Sequence, residues 1–341
     1  MSSANPMRAL MVEHAGAPFS DALLPRPVAG AGQVLVRIVA SGVNPLDTKI
    51  RAGAAAHARQ ALPAVLGIDM AGVVVGTGAG VGHFRVGDEV YGMVGGIGGL
   101  QGTLAEYAAV DADLIALKPQ NLTMREAAAL PLAIITAWEG LVDHAHVGPG
   151  QKVLVQGGAG GVGHIAVQLA RARGAQVYAT VSARQAELVE RYGATAIDYE
   201  KYSVEAYVKH FTDGVGFDVA YDSVGGATLD ASFAAVRNYT GHVLSILGWG
   251  THKLAPLSFR AATYSGVFTL LPILTGAGRA HHGEIMREAA KLAEAGLLLP
   301  RVDARRFTLD TALQAHELVA QGKAEGKVVV DVAEAQASGA A

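Results

Sequence analysis

The chain has 341 residues, of which 51% are hydrophobic and 17% charged, and its formal net charge is −3. That length exceeds one ordinary core and points to two domains, and the near-neutral balance offers no electrostatic footprint for nucleic acid or an anionic membrane. Cysteine is absent, which excludes disulfides, thiolate nucleophiles and cysteine-ligated zinc and suits a reducing, cytoplasmic compartment.

No apolar run reaches the length of a membrane span, and Met1-Ser2-Ser3-Ala4-Asn5-Pro6 lacks the basic start and apolar core of a signal peptide. From Met7 to about residue 125 the chain reads as short strands between Gly and Pro turns. Residues 8–12, 33–40 and 70–76 fit strands, 86–92 a turn entering another, and 106–110 one more. Such close spacing predicts a barrel-like or sandwich domain. Segment 92–102 holds six glycines and reads as flexible, either as a gating loop or as an ordinary surface loop. Thr123-Met124-Arg125-Glu126 has the spacing of a capping box. A helix over 134–142 follows Pro131.

From Lys152 strands and helices alternate. Strands are predicted over 152–156, 176–181, 195–198, 217–221, 242–247 and 266–271, and helices over 164–173, 183–192, 204–211 and 228–236. Gly174 and Gly193 stand where helix C-caps belong. This alternation predicts an α/β fold with a doubly wound parallel sheet. An amphipathic helix over 284–295 ends at Gly296. Residues 300–307 read as extended, 309–321 as helical, and 327–332 as a last strand that pairs with the first domain and makes it discontinuous. The Ala/Ser/Gly-rich tail from Ala333 is expected to fray. The expected domains are 1–125 with 298–341, and 126–297.

Within the second domain the strand 152–156 meets a glycine cluster and then a helix. Gly158, Gly160 and Gly163 have the G-x-G-x-x-G spacing in the strand–turn–helix context of a dinucleotide fingerprint. Gly158 would permit the turn, Gly160 the approach of a pyrophosphate, and Gly163 close packing of helix on strand. The helix start offers N–H groups and a positive dipole end to phosphates. NAD-binding versions carry an acid at the end of the second strand. Here that strand ends Thr180-Val181-Ser182, and no acid precedes Glu187. Ser182 can donate a hydrogen bond and Arg184 can pair with a 2′-phosphate, which favours NADPH; Arg184 also reads as a solvated helix-start residue.

The chain resembles the zinc-independent quinone oxidoreductase group of the medium-chain dehydrogenase/reductases. The matching segments are Ser41-Gly42-Val43-Asn44-Pro45-Leu46-Asp47, Leu66-Gly67-Ile68-Asp69-Met70-Ala71-Gly72, Arg85-Val86-Gly87-Asp88-Glu89-Val90-Tyr91-Gly92, Ala105-Glu106-Tyr107 and Ile135-Thr136-Ala137-Trp138. To these are added the glycine fingerprint, Asp222-Ser223-Val224-Gly225-Gly226 and Gly326-Lys327-Val328-Val329. The resemblance implies a GroES-like, mostly β catalytic domain beside a Rossmann domain. The family's zinc branch has a cysteine and a Gly-His-Glu motif where this chain has Val43-Asn44 and Ile68-Asp69. The paired histidines His144/His146 and His281/His282 have no third ligand at motif spacing, so no metal is expected.

The resemblance further implies that Thr136 lies near the nicotinamide and that Gly160, Gly161 and Val162 contact the pyrophosphate. Ser182 and Tyr199 would line the 2′-phosphate pocket, Ser223, Val224, Leu247 and Gly248 would follow the cofactor, and Lys327 joins this set. Two departures stand out. Gln185 occupies the place of a frequent lysine, and Lys49 with the tyrosine-free run 54–60 stands where a cleft tyrosine is common. The implied reaction is hydride transfer from NADPH to a quinone or an α,β-unsaturated carbonyl compound. A 2-alkenal or enoyl-thioester reductase and a non-catalytic NADPH-binding protein are the alternatives. Without a metal, hydrogen-bond donors must compensate charge on the acceptor oxygen. Asn44 and Lys49 are the candidates, with Thr136 assisting and Asp47 orienting. Asn44-Pro45 also reads as a turn and Asp47 as a cap. Partners are expected to be a small electrophilic substrate and a second copy of the chain, through an edge strand at 266–271.

Overall fold

Alternation of apolar and polar residues shapes the first part of the chain. In Gln33–Val43 the first residues alternate between partly and fully buried, and the last five are all buried. A computed structural model describes residues 5–333. The N-terminal reading at residues 1–4 and the tail from residue 334 lie outside the described residues. The strands are β1 (Pro6–Val12), β2 (Ser20–Pro25), β3 (Gln33–Val43), β4 (Ala64–Val65), β5 (Asp69–Thr77), β6 (Glu89–Met93), β7 (Tyr107–Asp111), β8 (Ile115–Leu117), β9 (Lys152–Gln156), β10 (Gln176–Val181), β11 (Thr195–Asp198), β12 (Val219–Asp222), β13 (His242–Ser245), β14 (Thr263–Gly266), β15 (Phe307–Thr308) and β16 (Val328–Asp331). The helices are α1 (Pro45–Arg51), α2 (Met124–Ala128), α3 (Pro131–Trp138), α4 (Gly163–Ala172), α5 (Ala186–Arg191), α6 (Val204–Thr212), α7 (Ala227–Ala235), α8 (Ala255–Ser258), α9 (Leu271–Thr275), α10 (Arg279–Glu294) and α11 (Ala312–Ala320).

The chain divides into two units: Met1–Leu132 with Leu270–Glu294 and Pro300–Ala341, and Ala133–Thr269 with Ala295–Leu299. The first unit holds a seven-stranded sheet in the order β15-β16-β3-β5-β6-β8, with β7 also on β3, and a small sheet β2-β1-β4. The last strand, β16, pairs antiparallel with β3, Val328 opposite Val43. Residues 270–294, placed by the sequence reading in the nucleotide domain, group with the first unit. There α10 is tied to β6 by the buried Tyr91 hydroxyl, which donates to the Met286 carbonyl at 2.6 Å, and Arg279 pairs with Asp111 at 2.9 Å.

The second unit carries one six-stranded, fully parallel sheet in the order β11-β10-β9-β12-β13-β14. Numbered from β9 this is 3-2-1-4-5-6, the doubly wound order whose crevice opens at the carboxyl ends of the strands. Val153, Leu154 and Val155 are buried, as a strand covered on both faces requires. Leu154, Ile197, Phe217, Leu229, Phe233 and Val243 pack in one apolar cluster.

Several predicted elements are corrected. The strand expected over 266–271 is β14, which ends at Gly266. Leu271 instead opens α9, with Pro272 in the first turn, where its missing N–H costs no helix bond. The helix expected over 134–142 is α3, continued as a π-helical turn over Glu139–His144. Residues 300–307 make only a bridge, Val302 to Lys327, before β15. Asn44-Pro45 opens α1 rather than a turn. Most of the glycine-rich segment is packed rather than loose: residues 92–97 are buried, and Gly98 and Gly99 are exposed. Gly98 N donates to Ala58 O at 2.9 Å and Gly102 N to Val65 O at 3.0 Å. A Cβ at Gly102 would strike the Leu66 backbone, so glycine serves close approach there. The capping box forms: Thr123 N donates to Glu126 Oε2 at 2.8 Å and Glu126 N to Thr123 Oγ1 at 3.3 Å.

Tyr91→Phe should lower the stability of the first unit by about 1–2 kcal/mol, through loss of one buried hydrogen bond. Urea unfolding checks this, and an unchanged midpoint would contradict the anchoring of α10.

Candidate functional site

In the second unit the site grows from the carboxyl ends of β9, β10, β12 and β13. After β9, Gly157 takes φ 71°, so the left-handed residue of the turn is Gly157 and not the predicted Gly158. Gly157 N donates to Thr180 Oγ1 and Gly158 N to Thr180 O, both at 3.1 Å. Gly158 lies against Ala179 of β10, and a Cβ at Gly163 would strike the Gly157 carbonyl. The glycines therefore hold the start of α4 tightly against the sheet, and Gly160 and Gly161 remain exposed at that start. This is a cradle that side chains would fill, set at the positive end of a ten-residue helix, and it fits the phosphates of a dinucleotide.

Beside it, β10 ends at Val181, followed by the nearly buried Ser182, whose Oγ donates to Gln185 Oε1 at 3.1 Å. Arg184 and Tyr199 are exposed. The acid in register with Val181 is Asp198, and its charge is paired with Lys201 at 3.1 Å. Asp222, at the end of β12, is fully buried. It accepts Val224 N at 3.2 Å, Gly225 N at 3.1 Å and Ser245 Oγ at 2.7 Å. Ser223 Oγ donates to Gln156 O at 2.7 Å, and Leu247 N to Ser245 Oγ at 3.1 Å. Asp222 thus folds the Ser223-Val224 turn and, through Ser245, the Leu247-Gly248 loop. Sequence reasoning quoted it within a motif but gave it no role. A lone acid in an apolar strand was the available signal. The Thr136 carbonyl accepts the buried Tyr221 hydroxyl at 3.0 Å, which fixes α3 to β12.

In the first unit, Asn44, Asp47, Asp69 and Lys327 form one buried polar group. Asn44 is the residue before α1, and its N–H donates to Asp47 Oδ2 at 2.8 Å. Its side-chain Nδ2 donates to Asp69 Oδ2 at 2.9 Å, and its Oδ1 accepts from Lys327 Nζ. Asp69 Oδ1 accepts Leu132 N at 3.0 Å, and the Asp69 carbonyl accepts Thr103 Oγ1 at 3.0 Å, itself bonded to Ser41 Oγ at 2.7 Å. Lys327 reaches Asn44 because Val328 pairs with Val43.

Burial is the main force on all three charges. It pushes Asp47 up to about 7, against the Asn44 N–H, which favours the carboxylate. It pushes Asp69 up to about 6, against the favourable charge of Lys327 and the Asn44 amide. It lowers Lys327, against the two carboxylates. Of the sequence-predicted residues, Asn44, Asp47 and Lys327 come together here, the last of these having been expected among the cofactor residues. Lys49 is exposed on α1 and outside the hydrogen-bonded group. In the sequence Ile68-Asp69 reads only as a failed metal ligand, and nothing local signals that Asp69 is an anchor.

Residues 30–120 match the alcohol dehydrogenase GroES-like domain, and residues 192–330 the zinc-binding dehydrogenase domain. The chain is 39% identical over 306 residues to the 2-methylene-furan-3-one reductase of Solanum lycopersicum, covering 87% of this chain and 71% of that protein. It is 36% identical over 306 residues to the chloroplastic NADPH-dependent alkenal/one oxidoreductase of Arabidopsis thaliana, covering 87% and 72%. Among solved structures, an alcohol dehydrogenase superfamily protein from Novosphingobium aromaticivorans superposes with a TM-score of 0.94 at 55% identity, covering 96% of this chain and 100% of that one. The quinone oxidoreductase of Coxiella burnetii superposes with a TM-score of 0.81 at 29% identity, covering 96% and 100%.

The second of these domain names implies zinc, and the donor set does not fit it. The sequence has no thiolate to offer. Among the described residues no three His, Cys, Asp or Glu side chains converge as ligands. Both Asp69 oxygens already accept N–H donors, with an ammonium close by. Among the described residues, too, no helix is long and apolar enough to cross a membrane. The two domain matches, the relatives and the shared fold together make this chain an oxidoreductase of the medium-chain dehydrogenase/reductase family, in its quinone oxidoreductase group.

Proposed function

We propose that the protein is a zinc-independent, NADPH-dependent reductase of α,β-unsaturated carbonyl compounds and quinones. The observation that carries the cofactor half is the end of β10, where Ser182 and Arg184 follow Val181 and the neighbouring Asp198 is neutralised by Lys201. A 2′-phosphate would meet donors and a cation there, with the acid in register already paired to a lysine. NADPH, when bound, supplies the hydride and carries the redox chemistry. Gly158, Gly160, Gly161, Val162 and Gly163 are proposed to hold its pyrophosphate, and Ser182, Arg184 and Tyr199 its 2′-phosphate. Ser223, Val224, Leu247 and Gly248 are proposed to line its path, with Thr136 at the nicotinamide end. The acceptor class is supported by the relatives named for alkenals, enones and quinones. A cysteine-free chain suits a reducing cytoplasm.

On the acceptor side, the chain's own residues must compensate negative charge on an oxygen. A carboxamide nitrogen has two N–H groups. Asp69 takes one from Asn44, and the second is proposed to serve the acceptor oxygen. Lys49 adds a mobile positive charge, and Asp47 braces the Asn44 backbone. A homodimer is proposed through β14. Among the described residues this edge strand has β13 as its only sheet partner. Thr263 N and Val267 N donate to Gly241 and Ser245, so period-two alternation turns the N–H groups of Tyr264 and Gly266 outward. Exposed Trp249 and Phe259 lie in the same unit.

NADPH should be preferred over NADH by at least about tenfold in kcat/KM, a difference of one charge-assisted contact. Ser182→Asp should erase that preference. A spectrophotometric assay over enals and quinones measures both, and a wild-type preference for NADH would refute the assignment. Asn44→Ala should cut kcat about 100-fold, the usual cost of one lost donor to a developing oxyanion, with the KM for NADPH unchanged. Unaltered turnover would remove Asn44 from the reaction. Gly266→Pro should convert a sedimenting dimer to a monomer, and a dimer that survives it would place the interface elsewhere.

A further inference from the structure

The buried group holds more charge than it can neutralise. Asp47 and Asp69 supply two carboxylates and Lys327 one ammonium, all of them buried. The charges acting on Asp47 are those of Asp69 and Lys327. Cations and acids on the elements around it are otherwise engaged or turned outward. Lys49 of α1 is exposed, Arg51 donates to Ala17 O at 3.0 Å, Arg125 of α2 pairs with Asp331 of β16 at 2.8 Å, and Glu126 caps Thr123. Fully ionised, the group would carry one uncompensated negative charge away from water, which is costly. One proton relieves it.

Geometry says where that proton sits. Asp69 has no oxygen free for it: Oδ1 accepts from Leu132 N and Oδ2 from Asn44 Nδ2, and a hydrogen on either would face a donor. On Asp47, Oδ2 accepts from Asn44 N, but Oδ1 is buried without a partner. An orphaned buried carboxylate oxygen is the position where a hydrogen meets no conflict. The Asn44 amide is likewise fixed in one sense. Flipping it would set its NH2 against the ammonium of Lys327 and its oxygen against the carboxylate of Asp69.

We propose that Asp69 and Lys327 are positioning residues that lock the Asn44 carboxamide, and that Asp47 Oδ1 carries the group's one exchangeable proton. Its kinetic consequence rests on the function proposed above. With Asp47 protonated the group is neutral, and Asn44 faces the acceptor oxygen without a net negative charge behind it. As pH rises past neutrality Asp47 ionises, and the added charge opposes the charge growing on the acceptor. Turnover should then fall, by between about fivefold in a water-like dielectric and about 1000-fold at a protein-like one for a charge roughly 4 Å away.

The test has two arms. Infrared spectra of the resting protein should show a protonated-carboxyl band that bleaches around pH 7 in the wild type and is missing in Asp47→Asn. In Asp69→Asn, which removes the neighbouring charge, the band should bleach at lower pH. A wild type without the band, or Asp47→Asn retaining it, overturns the proton assignment. In the second arm, kcat should decline through neutrality in the wild type and lose that step in Asp47→Asn. Lys327→Met should lower kcat with the KM for NADPH unchanged, and Lys327→Arg should recover part of it. An Asp47→Asn profile that keeps the wild-type step overturns the kinetic role. The infrared arm needs no acceptor, so a protein that titrates as described yet oxidises no NADPH would refute the proposed function and leave the proton assignment standing.

Discussion

A carboxylate taken out of water has to be saturated with donors, and two such carboxylates organise this protein. Asp69 ties the segment before α1 to the chain entering α3, through Asn44 and Leu132. Asp222 does the same at the ends of β12 and β13, through Gly225 and Ser245. In each case donors from two segments converge on one acid. Removing the acid would leave several buried N–H and O–H groups unpaired at once, each costing about 1–3 kcal/mol. The loops at these places are therefore fixed by chemistry specific to them and not only by the sheets that carry them.

Topology supplies the rest. In the second unit the sheet order reverses at β9 and β12, so the glycine turn and the Ser223-Val224 turn lie on neighbouring strands, at the ends where parallel sheets bind ligands. In the first unit, β16 returns to β3 and sets Lys327 beside Asn44. In a chain without a thiolate, and with no converging ligand set among its described residues, that lysine is the positive charge buried with Asn44 and the two acids. The proposed function follows from reading these fixed hydrogen bonds in the place of metal chemistry.

What could be read from the sequence was local. The glycine fingerprint, the capping box at Thr123 and Glu126 and the first five strands of the parallel sheet depend on neighbours a few residues away, and they lie where expected to within a few residues. The strand predicted over 266–271 misjudged a leucine-rich run: β-like composition was overridden by Pro272, which suits a helix start. The glycines of 92–102 suggested looseness because sequence alone does not show that the Leu66 backbone, far upstream, presses on Gly102. Asn44-Pro45 fits a turn and a helix start equally well, and only the Asp47 side chain under the Asn44 N–H decides it. The buried group was invisible for a plainer reason. Asn44 meets Asp69 across 25 residues and Lys327 across 283, and no periodicity reports such a meeting.

The central claim is that this member of the family reduces its acceptor with NADPH and its own hydrogen-bond donors, without zinc. Its most direct test is NADPH oxidation with an enal or a quinone before and after exhaustive treatment with a chelator, with the metal content of the protein measured in parallel. The account predicts full turnover in metal-free protein and no gain from added zinc. Activity lost with the metal and restored by zinc would contradict it.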